Sequence, residues 1–330
     1  METTSSSPKL ISIVIPVCNE APSLEELAVE VRAAAAAHTL TVEVIFVDDG
    51  SRDDSWNIIR RLATADPRIQ GIRFRRNFGK AAALAAGFKA AAGDVVFQMD
   101  GDLQDDPAEI PNFLAALDHG FDVVNGWKRK RHDPWHRVGA SRVFNWMVSL
   151  LTGLRLHDHN CGLKCFRAEV VKQLRLYGEM HRFITVFAHS YGYRVTEAVV
   201  KHRPRRYGHS KYGPGRFAKG FLDLITVTFL IGFGERPLHL LGSVGLVASC
   251  LGSLGLAYLA VCWCLARLGV AGYGPIGHRP LLTYSVAALI VGFQMIATGF
   301  LAELTVARST DNEHVYNIAE VTKPKEAVDL

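Results

Sequence analysis

The sequence predicts a doubly wound α/β domain on a mostly parallel sheet, followed by interfacial helices and two membrane-spanning helices. Three observations predict it. Short apolar runs rich in β-branched residues alternate with longer helical patterns over the first 125 residues; several of those runs end in acidic residues; and two long stretches near the C-terminus carry no charge.

Residues 1–9 are polar and read as disordered. Residues 12–17 form the first expected strand, and the alanine-rich stretch 21–37 reads as a helix with Glu25, Glu26 and Glu30 on its exposed side. A strand at 42–47 and a helix at 53–65 follow, then a strand at 69–74, a helix at 80–92, a strand at 95–99, a helix at 107–119 and a strand at 121–125. Asp53 and Asp106 stand where helix N-caps are wanted. Near-continuous apolar strands alternating with helices imply a parallel sheet covered on both faces. Such sheets bind ligands beyond the carboxyl ends of their strands.

The chain is 49% hydrophobic and 21% charged, against about 25% charged in a soluble domain. The excess is local. Residues 238–266 and 281–302, 29 and 22 residues long, contain no Asp, Glu, Lys or Arg, and a helix needs about 20 residues to cross the hydrocarbon. Buried core helices compete with this reading but seldom run beyond about 15 residues without a charge. Glycines at 242, 245, 252 and 255 allow close helix packing and permit a homo-oligomer. Ahead of the spans, seven Lys/Arg and no acid lie between Val199 and Leu222, as the positive-inside rule asks. The apolar segment 221–233 is too short to span and reads as interfacial. The first 20 residues lack a signal-peptide pattern, so the N-terminal part and the tail are expected in the cytoplasm, with the loop 267–280 outside. The expected organisation is a catalytic domain at 10–215, a juxtamembrane region at 216–236, a two-helix membrane domain at 237–305 and a tail at 306–330. Six scattered cysteines, none in a CxxC pair, suit a reducing compartment and no zinc site.

Chemistry concentrates after the strands. The first is followed by Pro16-Val17-Cys18-Asn19-Glu20, the second by Asp48-Asp49-Gly50-Ser51 and the fourth by Asp100-Gly101-Asp102-Leu103-Gln104-Asp105. Acids gathered in one crevice repel unless a cation or hydrogen-bond donors share the space. Asp100 and Asp102 stand two apart on an extended backbone and so share a face, an arrangement that suits a hard divalent ion, Mg²⁺ or Mn²⁺, with phosphate oxygens. Neither GxGxxG nor GxxxxGK[ST] follows a strand, so a dinucleotide cofactor and P-loop chemistry lose their usual support.

Together IVIPVCNE, VDDGS, RNFGKAAAL, DGDLQDDP, HDHNCGLKCFR and RRYGHSKYG ahead of two spans resemble a polyprenyl-phosphate glycosyltransferase, the branch of family-two GT-A enzymes that includes dolichyl-phosphate mannose synthase and undecaprenyl-phosphate glucosyltransferases. The resemblance covers residues 10 to 305. It implies inverting transfer of a sugar from a nucleotide donor to a lipid phosphate at the cytoplasmic face of the membrane, the inner membrane in a bacterium, with a divalent metal. By that resemblance Asp100, Asp102 and Gln104 hold the metal and donor pyrophosphate, while Pro16, Cys18, Glu20 and Asp48 or Asp49 line the nucleoside site. Relatives often carry Tyr where this chain has Cys18. Lys80 stands at a helix N-terminus that meets phosphate oxygens. Lys128, Arg129, Arg137 and Ser141 match the acceptor-phosphate position, where Lys128 lacks the bidentate reach of Arg. Arg205, Gly208, Ser210 and Lys211 match a loop closing over the donor, and Arg205 and Lys211 suit the leaving diphosphate. Asp158 is the candidate to accept a proton or hydrogen bond near the attacking oxygen, or to orient Lys164; His181 and Arg182 fit the acceptor or sugar pocket by family position.

UDP-glucose and undecaprenyl phosphate are the expected substrates by likeness to bacterial members, with GDP-mannose and dolichyl phosphate as the alternative. A reading of another class is a non-catalytic membrane scaffold, which predicts erosion of Asp49, Asp100 and Asp102; all three are present. A processive polysaccharide synthase would carry a QxxRW motif, absent here. Nucleic-acid binding is disfavoured because the basic charge abuts the spans without interleaved stacking aromatics.

Overall fold

The computed structural model describes residues 10–129, 135–174, 176, 178, 180–201, 203, 204, 206, 216–233, 236–269, 277 and 279–309. The chain divides into two units, residues 1–228 and 229–330.

The first unit is built on a seven-stranded sheet: β1 Ile11–Val17, β2 Val42–Asp48, β3 Ile69–Arg73, β4 Val95–Gln98, β5 Val123–Trp127, β6 Lys164–Arg167 and β7 Val195–Val199, in the order β3-β2-β1-β4-β6-β5-β7. β1 pairs in parallel with β2 and β4, β2 with β3, and β5 with β7. Only β6 runs antiparallel, between β4 and β5. It lies outside the expected elements because four residues, KCFR, are too short to show a period.

Helices α1 Ala21–Ala37, α2 Ser55–Ala65, α3 Lys80–Ala90 and α4 Ile110–Asp118 follow the first four strands. α1 has the expected bounds, and its buried Leu24, Leu27, Ala28, Val31 and Ala35 recur every three to four residues, so one stripe meets the sheet. α2 starts two residues later than expected because the Asp53 carboxylate accepts from Ser55 N (3.1 Å) and Oγ (2.6 Å). The helix expected at 107–119 begins instead as a 3-10 turn, Pro107–Glu109, where Asp106 Oδ1 accepts from Ala108 N at 3.0 Å. Pro111 has no N–H to bond back to Pro107, so the α-helical ladder cannot start earlier. Further on lie α5 Trp135–Thr152, α6 Ala168–Gln173, α7 Ile184–Ser190 and α8 Arg216–Phe233. The segment expected as an interfacial stretch at 221–233 is thus part of a longer helix; its Leu224 and Val227 are buried, whereas Phe221, Leu222 and Ile225 are exposed.

The period of two along β1 divides the core. Ile11, Ile13, Ile15 and Val17 point to one layer with α1 and Phe113 of α4, while Val14 joins Ile45, Val47, Ala83, Leu84 and Phe88 in the other. Truncating a fully buried Phe such as Phe97 or Phe113 costs about 3–5 kcal/mol. Two packed layers therefore hold the strand ends still.

The second unit contains α9 Pro237–Arg267 and α10 Pro280–Ser309, both long and apolar enough to cross a membrane. Gly245 and Gly252 serve packing within the pair. A Cβ on Gly245 would stand 2.6 Å from Gly292 O, and one on Gly252 2.6 Å from Ser285 O.

Candidate active site

The acids after β1, β2 and β4 converge at the carboxyl ends of the parallel strands. Asp48 is fully buried; one oxygen accepts from Ser51 N at 2.8 Å and the other lies 3.5 Å from Arg73 Nε. Asp49 accepts from Phe78 N (2.6 Å) and Gly79 N (3.0 Å), which clamps the loop that opens α3. Burial raises the Asp49 carboxyl, and the two amides recover only part of that. Asn19, at φ +55°, donates its backbone N–H to Ser51 Oγ (2.9 Å) and accepts from Arg52 N (2.7 Å). Beside it Cys18 Sγ accepts from Asn77 Nδ2 at 3.4 Å. Glu20 N donates to Ser55 Oγ at 3.1 Å, and Pro16 lies within β1. A cavity of about 560 Å³, lined by Ser51, Arg52, Arg76 and Asn77 among others, opens on this side.

At the end of β4, Lys80 Nζ lies 2.5 Å from Asp100 Oδ1. Burial pushes the Asp100 carboxyl up, but the Lys80 ammonium, with Lys128 and His181 beyond it, outweighs burial and holds the carboxyl below its ordinary range. Asp102 is buried and its Oδ1 accepts from Gln104 N at 3.2 Å. Between them Leu103 takes φ +61° with its side chain in the core, a conformation costing about 1–2 kcal/mol for a non-glycine residue. The core contact holds that turn. Gln104 Nε2 donates to Arg203 O at 3.4 Å, and Arg203 in turn reaches Glu30 and Asp106 at 2.7 Å each.

The loop after β5 supplies the opposing charge. Lys128 Nζ stands 3.0 Å from Asp105 Oδ1; burial disfavours its charge, and the Asp105 carboxylate overrides this and raises its pKa. Arg129 is exposed, over the Trp127 ring, which stacks on His157 at 4.0 Å. Arg137 falls in the first turns of α5 with its side chain outside the described residues, and Ser141 is half-buried on the same helix. Arg205, Gly208, Ser210 and Lys211 lie outside the described residues.

The segment 157–163 closes the site. Glu197 of β7 accepts from His157 N (2.9 Å) and Asp158 N (3.1 Å). Asp158 is buried, and its side chain accepts from Asn160 N at 3.3 Å. Lys164 is enclosed beneath it, donating to Asn125 Oδ1 and to His159 O (3.0 Å); burial lowers its pKa to about 8. His159 pairs through Nε2 with Ser149 Oγ at 3.0 Å, and burial lowers it to about 3. Burial pushes the Cys161 thiol up to about 12, so it is no nucleophile. His181 and Arg182 form a 3-10 turn in which Arg182 Nη1 is 3.5 Å from Asp223 Oδ2. Sequence reasoning missed Asp105, Asn125 and Glu197 as site residues. The available signal was slight: Lys164 opens the strand KCFR beside apolar Cys165 and Phe166, and a lysine enclosed there demands buried acceptors.

Residues 12–175 match the family model described as Glycosyl transferase family 2. Over 304 residues the chain is 38% identical to the dodecaprenyl-phosphate galacturonate synthase of Rhizobium johnstonii, covering 91% of this chain and 88% of that protein. The chain belongs to the polyprenyl-phosphate glycosyltransferases of family 2. This glycosyltransferase is also 37% identical over 296 residues to the undecaprenyl-phosphate 4-deoxy-4-formamido-L-arabinose transferase of Pseudomonas syringae pv. syringae, covering 89% of this chain and 85% of that one. Among solved structures, glucosyl-3-phosphoglycerate synthase from Mycobacterium tuberculosis in complex with Mn²⁺ and UDP-glucose matches with a TM-score of 0.53 at 18% identity, over 68% of this chain and 79% of that one. That likeness is one of fold, and the fold of the glycosyltransferase is GT-A.

Proposed function

We propose that this glycosyltransferase moves a sugar from a nucleoside-diphosphate donor to a polyprenyl phosphate at the cytoplasmic face of a membrane, with inversion at the anomeric carbon. The observation that carries the reading is the gathering, in one crevice, of the acids after β4 and of two lysines from separate elements, Lys80 against Asp100 and Lys128 against Asp105.

The reaction needs little acid–base help. The acceptor phosphate is largely ionised near neutral pH, so an oxygen lone pair forms the new bond to the anomeric carbon as the bond to the diphosphate oxygen breaks, and the nucleoside diphosphate leaves with that electron pair. Orientation and charge stabilisation then dominate. Asp48 and Asp49 brace the nucleoside side beside Pro16, Cys18 and Glu20. Lys80 meets the donor diphosphate, and Lys128, with Arg129, Arg137 and Ser141, meets the acceptor phosphate. Arg205 and Lys211 neutralise the leaving group. Asp158 orients its loop above Lys164.

A divalent ion fits the donor set: Asp100 and Asp102 offer hard carboxylate oxygens, and the Lys80 ammonium at 2.5 Å marks a place where positive charge is stabilised. Among the described residues no group of three or more His, Cys, Asp or Glu side chains is placed to hold a metal ion, so an ion here would take further ligands from diphosphate and water. Such an ion supplies charge neutralisation for the leaving diphosphate. Gln104, whose amide nitrogen faces Arg203 O, would offer its carbonyl oxygen.

For the donor sugar the reading starts from UDP-glucose. The relatives' names concern a galacturonate and a formamido-arabinose, and neither GDP-mannose nor the scaffold reading draws support from them. The test incubates membranes holding the protein with undecaprenyl phosphate and, separately, labelled UDP-glucose, UDP-galacturonate, UDP-4-formamido-arabinose and GDP-mannose. Label entering the lipid phase from one UDP-sugar supports the reading and names the sugar; label from GDP-mannose alone overturns the donor, and no label from folded protein overturns the function.

A further inference from the structure

Asp105 is 2% exposed and joins two parts of the crevice. Its Oδ2 accepts from the backbone N–H of Asp100 at 3.2 Å, and its Oδ1 lies 3.0 Å from Lys128 Nζ. The side chain of Lys128 is 15% accessible and that of Asp105 1%, so an incoming anion reaches the lysine and not the carboxylate. A third segment presses on the same place: a Cβ on Gly162 would stand 2.6 Å from Asp100 Oδ2 and 2.7 Å from Asp105 Oδ2. Only a glycine lets the 157–163 segment lie against both carboxylates.

Lysine is a point charge on a flexible four-carbon stem, and on its own it holds an anion without fixed direction. A buried carboxylate on one side of the ammonium removes that freedom while leaving further protons for a ligand. We propose that Asp105 is a positioning residue, which fixes the Lys128 ammonium in register with Asp100 so that the acceptor cation and the donor loop are aligned by one side chain. The proposal rests on the reading of Lys128 as an acceptor-phosphate group. Asp105 touches neither substrate; it acts through Lys128.

The test is a double-mutant cycle of Asp105→Asn and Lys128→Met, read as separate KM values for polyprenyl phosphate and for the sugar nucleotide, with UDP affinity and Tm as fold controls. Asn still accepts from Asp100 N but carries no charge for Lys128. In Asp105→Asn the acceptor KM rises about tenfold while the donor KM changes less than about twofold, and in the Lys128→Met background the same substitution adds less than about twofold. Effects that multiply, or donor and acceptor KM values that move together, overturn the assignment of Asp105 while leaving the wild-type reaction standing. A wild-type protein that labels no lipid overturns the functional reading itself. Should the Asn variant not fold, Asp105→Ser, smaller and uncharged, is read in the cycle for acceptor KM alone, because Ser also gives up the bond to Asp100 N: an effect that vanishes in the Lys128→Met background is expected, and effects that multiply overturn the assignment.

Discussion

The two halves of the sheet hold their charges differently. On the β3-β2-β1-β4 side, carboxylates are held chiefly by backbone amides: Ser51 N on Asp48, Phe78 N and Gly79 N on Asp49, Ala21 N on Asp53. On the β6-β5-β7 side the cations meet side chains, as in Lys128 with Asp105, Lys164 with Asn125, and Arg182 with Asp223, while the Glu197 carboxylate alone among these groups takes backbone amides. Amides belong to the chain path and are set once the loop folds; side-chain partners can be exchanged when a charged ligand arrives. On the proposed reading the donor half, apart from the Lys80–Asp100 pair, is thus preset, and the other half is balanced in a way that a phosphate can upset.

The largest test of that contrast lies where the halves meet. Asp102→Ala should lower transfer by about a thousandfold or more, the scale of losing electrostatic stabilisation of a leaving group, with Tm within a few degrees of wild type; retained activity would remove the acids from the chemistry. Next, Asp49→Asn sets an amide against two N–H donors, so the loop before Lys80 loses one anchor. Donor KM should rise about tenfold, matching the loss of a charged hydrogen bond of about 1.5 kcal/mol, with acceptor KM unchanged; a matching rise in acceptor KM would blur the two halves. Gly162→Ala pushes a methyl against Asp100 and Asp105 and should cost about 1–3 kcal/mol of stability by overpacking, read from Tm, together with a rise in both KM values. The last effect is in pH dependence and is absent at neutral pH. His159 is held neutral to about pH 3 in the fold, against 6.5 when free. Its unfolded form therefore binds more protons between those values, and stability falls as pH drops from about 6.5 towards 3, by at most about 1.4 kcal/mol per unit. His159→Gln should flatten that part of a Tm-against-pH curve; an unchanged slope would assign it to other groups.

The same division governed what was legible in the sequence. The strands and helices from Ile11 to Asp118 follow one repeating pattern, and their ends fell within a few residues of expectation because burial on both faces leaves apolar runs that period and length identify. Asp49, Asp100 and Asp102 stood out because each follows such a run. β6 and β7 did not, since their neighbours come from distant parts of the chain and the four residues of β6 begin and end with charge. Asp105 was visible in DGDLQDDP, but a third acid in an acidic loop gives no sign that it is buried or that its partner is Lys128, twenty-three positions on. Glu197 was likewise illegible, because its partners are backbone amides of His157 and Asp158.

The proposed role of the acids at the end of β4 is to support sugar transfer to a lipid phosphate. It is tested most directly by mass spectrometry of the lipid extract after incubating purified wild-type and Asp102→Ala protein with UDP-sugar, undecaprenyl phosphate and Mn²⁺, with and without EDTA. A polyprenyl-phosphate sugar should form with wild type and metal only. A product of that mass from Asp102→Ala, or undiminished in EDTA, would contradict it.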